Sequence, residues 1–197
     1  MFDLYRRAAG GGGADELLFE SPERKVPTDV SSDGKLLLFD RDMGPQRKLD
    51  VWALPLTGGR PSTSGSGPFP VVSTEFDEGK AAFSPDGRWI AYESDGSEIY
   101  IQPFPTTGVR VRVSTTRSLD PQWSADGKQI FFRTWDNTLM VVDTNTPTRP
   151  GVPKALFTQS GPWTADPAGQ RFLFAVEGTA NAPITVVVNW AAGLGRR

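Results

Sequence analysis

Residues 83–105 read FSPDGRWIAYESDGSEIYIQPFP. An apolar run meets Pro-Asp-Gly, a strand-like run RWIAY follows, and a second Asp-Gly leads into EIYIQPF. Asp-Gly suits a tight hairpin: Gly accepts positive φ, and the Asp side chain bonds back onto the turn. Pro85 presets φ one position earlier. The stretch therefore reads as consecutive antiparallel strands, and the remaining question is whether it stands alone.

It recurs. FSPDG at 83–87 matches WSADG at 123–127, with 40 residues between Asp86 and Asp126. The next step of 40 reaches Asp166 in WTADPAGQ, where Trp163 stands in the place of Trp123 and Phe83. VSSDG at 30–34 is a further copy, 53 residues before Asp86, and the Gly/Ser/Pro-rich stretch at 57–68 accounts for most of the excess. After each turn come KLLLF, RWIAY, KQIFF and QRFLF. Their third residues are Leu37, Ile90, Ile130 and Phe172, and their fifth are Phe39, Tyr92, Phe132 and Phe174. Positions i and i+2 share one face of a strand, so every copy commits a bulky stripe to the same side. The runs DVWALPL, EIYIQPF, TLMVVDT and PITVVVN follow, and ELLFE, PVVST, VRVST and KALFT lie upstream of the turns. Four strands at a period near 40 are the pattern of β-propeller blades, an all-β fold.

This gives expected units at 8–60, 61–109, 110–152 and 153–190, with a tail at 191–197. Residues 1–7 match the third-run pattern, Leu4 on Ile99 and Tyr5 on Tyr100, and read as a stray outer strand of a preceding blade. That favours an arc of a larger ring over a closed ring of four. Such an arc bares an apolar sheet face at each end, so self-association through the terminal blades is expected.

Composition narrows the chemistry. With no His and no Cys in 197 residues, a Ser-His-Asp triad, a Cys-His pair, a His-assisted zinc site and a disulfide are all excluded within the chain. A formal net charge of -2 gives no electrostatic case for nucleic acid. Apolar runs such as ITVVVNWAAGL are too short for a membrane helix, so no membrane insertion is expected, and 1–16 lacks a signal-peptide core.

The motif W/F-S-x-D-G-[KR]-x-I-x-[FY], followed by a strand like EIYIQPF, resembles the WD40-like repeat of the TolB and PD40 type over roughly residues 15–190. True WD40 repeats pair Gly-His with Trp-Asp, and only Trp135-Asp136 answers to that here. A narrower likeness is to the C-terminal propellers of bacterial serine/threonine protein kinases, carried by 3–18, 83–105 and 184–194. It implies a sensor or scaffold attached to a kinase that is itself absent from this sequence, and an extracytoplasmic setting.

Turn chemistry explains Asp33, Asp86 and Asp126 better than metal binding, since each unit offers a single Asp and an oxygen-ligated ion needs several. GGGG at 10–13 lacks the Gly-Lys-Ser/Thr ending of a phosphate loop, and STSGSG at 62–67 reads as a surface loop. Trp123 and Trp163 read as packing between blades; Trp89 and Trp135 are less constrained, and core or rim packing is the leading reading for each, with stacking on a partner as the alternative. No catalytic residue, metal site or cofactor is assigned.

The expected function is non-enzymatic binding of a protein, a peptide or a cell-envelope ligand. Its surface is expected on the polar loops that vary while the strands repeat: Glu75, Asp77 and Glu78 in one unit, Arg117 and Asp120 in the next. Two alternatives stand beside it. One is the substrate-gating propeller of a prolyl-oligopeptidase-like peptidase without its hydrolase domain; the other is a glycosidase-like site using those carboxylates.

Overall fold

The computed structural model describes residues 2–175 apart from 11–12, 43, 45–47, 58–59, 62–66, 95–97 and 167–170. Its described residues form strands, turns and loops, with no helix among them. The expected strand PITVVVN and the tail at 191–197 lie outside the described residues.

Strands β1 (Leu4–Arg6) and β2 (Glu16–Phe19) pair antiparallel. The next sheet holds β3 (Lys25–Val30), β4 (Leu36–Asp42) and β5 (Leu49–Thr57); the short β6 (Arg60–Pro61) and β7 (Phe69–Val72) both pair with β5. A four-stranded sheet follows, made of β8 (Glu78–Phe83), β9 (Trp89–Ser94), β10 (Glu98–Pro103) and β11 (Val111–Arg112). Another comprises β12 (Ser118–Trp123), β13 (Gln129–Thr134), β14 (Thr138–Asp143) and β15 (Lys154–Thr158). Finally β16 (Trp163–Ala165) pairs with β17 (Phe172–Phe174).

Sheets and sequence units are out of phase by one strand. The runs ELLFE, PVVST, VRVST and KALFT form the outer strands β2, β7, β11 and β15 of the sheet before them. A repeat has no marked beginning, so its period cannot fix its phase. Hydrogen bonding decides it, and each of these runs pairs with an upstream strand, the adjacent one for β2, β11 and β15, and β5, past the two-residue β6, for β7. The sheets therefore start at 25, 78, 118 and 163 rather than at 8, 61, 110 and 153. The strand at 4–6 is accordingly joined by 16–19 in a two-stranded sheet in front of the one that starts at 25.

The turns carry the chemistry the sequence implies. In three of them the Ser hydroxyl donates to the Asp carboxylate, at 2.7, 2.6 and 2.7 Å for Ser31, Ser84 and Ser124. The same hydroxyl accepts the N–H of the residue opening the next strand, at 3.0 Å in each case. Gly34, Gly87 and Gly127 sit at φ of 70°, 69° and 70°. A Cβ at Gly34 meets nothing within 4 Å, so Gly34→Ala isolates the backbone cost, expected at about 1–2 kcal/mol. Gly67→Ala, where φ is ordinary and the space equally open, is expected to be neutral or stabilising in the same urea titration.

Packing runs from sheet to sheet in chain order. Leu37 and Phe39 face the sheet in front and bury Leu4. Ile90 and Tyr92 pack on Leu38, Val51 and Ala53 of the preceding sheet, and Ile130 and Phe132 on Ala91, Ile99 and Ile101. Phe172 and Phe174 lie against Phe131 and Leu139 in turn. The bulky stripe thus faces backward in every sheet, while the residue between its members faces forward. At the front of the arc Tyr5 and Leu17, paired across β1 and β2, face away from this core and are exposed.

Candidate functional site

Inner strands β3, β8, β12 and β16 line a shared cleft of about 630 Å³. Asp29, Lys80, Asp120, Gln122, Trp123 and Thr164 are among its walls. Each of the first three inner strands breaks register where it passes the cleft, between Pro27 and Asp29, Gly79 and Ala82, and Leu119 and Gln122. Lys80 and Asp120 sit in these bulges at φ of 54° and 56°, left-handed geometry that side chains rarely adopt.

What holds the bulges is a carboxylate from the preceding sheet. Asp40 on β4 accepts from the Lys80 N–H at 3.1 and 3.2 Å, and Glu93 on β9 accepts from the Asp120 N–H at 2.6 Å. Asp29 reaches forward similarly and accepts from the Phe83 N–H at 2.8 Å. On β13 the corresponding position is Arg133, which donates to the Gly161 carbonyl at 2.9 Å and to Asp120 at 3.1 Å. Gln122 closes the last junction, accepting from the Ala165 N–H at 3.2 Å and donating to the Trp163 carbonyl at 3.2 Å. The Trp123 indole N–H donates to the Ala82 carbonyl at 3.2 Å. Side chains thus stitch neighbouring sheets around the cleft.

Electrostatics follow from that burial. Withdrawal from water pushes Asp40 up to about 6, against the opposing effects of the Lys80 N–H and the Lys80 and Arg24 charges. Burial likewise pushes Glu93 up to about 7, countered by the Asp120 N–H. Asp29 is raised for the same reason. Turn aspartates move the other way: the Ser31 hydroxyl leads in holding Asp33 down at about 2, and the Ser84 and Ser124 hydroxyls lower Asp86 and Asp126.

The residues singled out from sequence part company here. Asp120 lines the cleft. Glu75 is exposed on the turn before β8. Asp77, also exposed, accepts from the Leu49 N–H at 2.9 Å and so ties that turn to the neighbouring sheet. Glu78 corrects the expectation of a loop contact: it is fully buried, accepts from the Thr74 N–H at 3.2 Å and from the Thr74 hydroxyl, and pins the turn from within. Arg117 is exposed and stacks on Trp135, its guanidinium 4.6 Å from the ring centroid. Among the described residues no group of three or more acids gathers for a metal ion. The cleft residues Asp29, Lys80 and Gln122 were not singled out from sequence; Lys80 lies forty residues before Asp120, the one signal that pointed to it.

No protein-family model matches the chain, and no curated protein does. Solved structures do. TolB from Acinetobacter baumannii aligns with a TM-score of 0.63 at 22% identity, covering 89% of this chain and 43% of that one. A TolB described as putative, from Agrobacterium tumefaciens, gives 0.55 at 19%, covering 75% and 53%. A 6-phosphogluconolactonase, likewise described as putative, from Bacteroides uniformis gives 0.53 at 14%, covering 88% and 57%. The chain spans about half the length of these neighbours. Likeness at this level establishes the fold: an all-β propeller architecture.

Proposed function

We propose that the protein is a non-enzymatic binding module that seats a segment of a partner protein in the cleft between its inner strands. One observation carries this reading: four inner strands converge on a single cleft whose polar groups are held in place by bonds between sheets. Such a seat is organised before its ligand arrives, which lowers the ordering cost of binding. Glu75, Asp77 and Arg117, on turns at the inner-strand starts, serve as rim contacts. TolB-like neighbours are consistent with a binding or scaffold role. The resemblance to kinase-fused propellers extends the reading to a sensor or scaffold part of a larger protein.

The test begins with peptides selected by display against the full chain, their affinities measured by calorimetry. Lys80→Ala and Gln122→Ala are each expected to weaken the selected peptides by about tenfold, with folding checked by circular dichroism. Peptides bound equally well by both variants contradict the proposal.

A further inference from the structure

We infer that the hairpin tip at Trp135 is a second binding site, built for a neutral saccharide. Trp135 joins β13 to β14 and is 61% exposed, unusual for the largest apolar side chain. It is nevertheless fixed. Its backbone N–H donates to the Arg117 carbonyl at 3.1 Å, and the Thr134 hydroxyl donates to Asp136 while accepting the Thr138 N–H at 3.1 Å. Asn137 closes the turn at φ 66° and receives the Arg133 guanidinium at 3.3 Å. The turn backbone is thus fixed, and the Arg117 guanidinium lying over the ring, 4.6 Å from its centroid, limits the rotamers of the indole before a ligand arrives.

Beside the ring lies a cleft of about 480 Å³ lined by Thr115, Thr116, Thr138 and Met140. Its two charges oppose one another: Arg117 over the indole, and Asp136, which the Thr134 hydroxyl holds below the ordinary carboxylate range. The two charges offset one another, so the cleft carries no net charge to favour an ionic ligand over an uncharged one. An apolar face for the indole and Met140 must be combined with hydroxyls for a carboxylate, a guanidinium and threonine side chains. A pyranose ring has both, with its C–H face and its equatorial hydroxyls. Proline-rich peptides dock in grooves walled by several aromatic rings, and this cleft offers one.

The site shares only Arg117 with the rim of the inner-strand cleft and is tested separately, by calorimetry and saturation-transfer NMR of the full chain with cellotetraose and chitotetraose. Saturable binding of at least one is expected, weakened about tenfold or more by Trp135→Ala and retained by Trp135→Tyr. Lys80→Ala, which weakens the selected peptides, leaves the saccharide untouched. Three outcomes overturn the inference: neither tetrasaccharide saturates the chain, binding survives Trp135→Ala, or a proline-rich peptide occupies Trp135 where the saccharides do not.

Discussion

Phe132→Ala is expected to lower unfolding free energy by about 3–5 kcal/mol, a large share of what a domain has. Phe132, the fifth residue of KQIFF, belongs to the backward-facing stripe on β13 and is 1% exposed, packed with Ile99, Ile101 and Ala91 of the sheet before it. Truncation removes its transfer free energy and leaves a cavity between two rigid sheets that have little room to collapse. Phe132→Leu, which keeps most of the volume, is expected to cost roughly 1–2 kcal/mol. Leu173 provides the contrast. At 64% exposure it faces away from the core, and its truncation to alanine is expected within about 0.5 kcal/mol of wild type. Urea titrations of the three variants check the order; equal losses at Phe132 and Leu173 contradict the packing described.

Stability is expected to fall as pH rises from about 5 to about 8, by on the order of 3 kcal/mol. The sign comes from Asp40 and Glu93, raised from ordinary values of 3.8 and 4.5 to about 6 and about 7. Between those limits the folded chain retains protons that the unfolded chain has released, so raising the pH through the window removes stability. Asp29 adds to the same limb. Asp40 is faced by Lys80 and Arg24, and Glu93 by Asp120, Lys80 and Asp40, so the two acids titrate as neighbours. Below about pH 4 the opposite group takes over. Asp33, Asp86 and Asp126 have lowered values, and what they contribute is present above the ordinary carboxylate range and lost as pH falls through their folded values. The stability maximum is therefore expected near pH 4–5, since both limbs turn there. Thermal melts across pH 3–9 measure it, and the double variant Asp40→Asn, Glu93→Gln flattens the alkaline limb while keeping oxygens to accept from Lys80 and Asp120. A maximum above pH 7, or an unchanged slope in the double variant, contradicts the assignment.

Much of the fold was legible in the sequence because its cause is local. Ser-x-Asp-Gly is a hydrogen-bonding unit complete within five residues, so Ser84, Asp86 and Gly87 announce a hairpin without help from the rest of the chain. The alternation at Ile90 and Tyr92 likewise follows from strand geometry alone. Phase was not legible: whether Val71 and Val72 belong with the strands before or after them depends on which edge accepts their hydrogen bonds. The site was harder still. Glu75, Asp77 and Glu78 look alike as a run of acids, yet one is exposed, one ties two sheets together and one is buried under its own turn. Lys80 sits among ordinary strand residues, and only a bulge, closed by Asp40 forty residues away, turns it into the cleft.

The inner strands are proposed as the binding surface. Amide hydrogen exchange of the full chain, with and without a display-selected peptide, tests it most directly. Protection gained at Lys80 to Phe83 and at Asp120 to Trp123, with exchange on the outer strands β7, β11 and β15 unaltered, is the result predicted. Protection confined to those outer strands, or to the Asp-Gly turns, contradicts it.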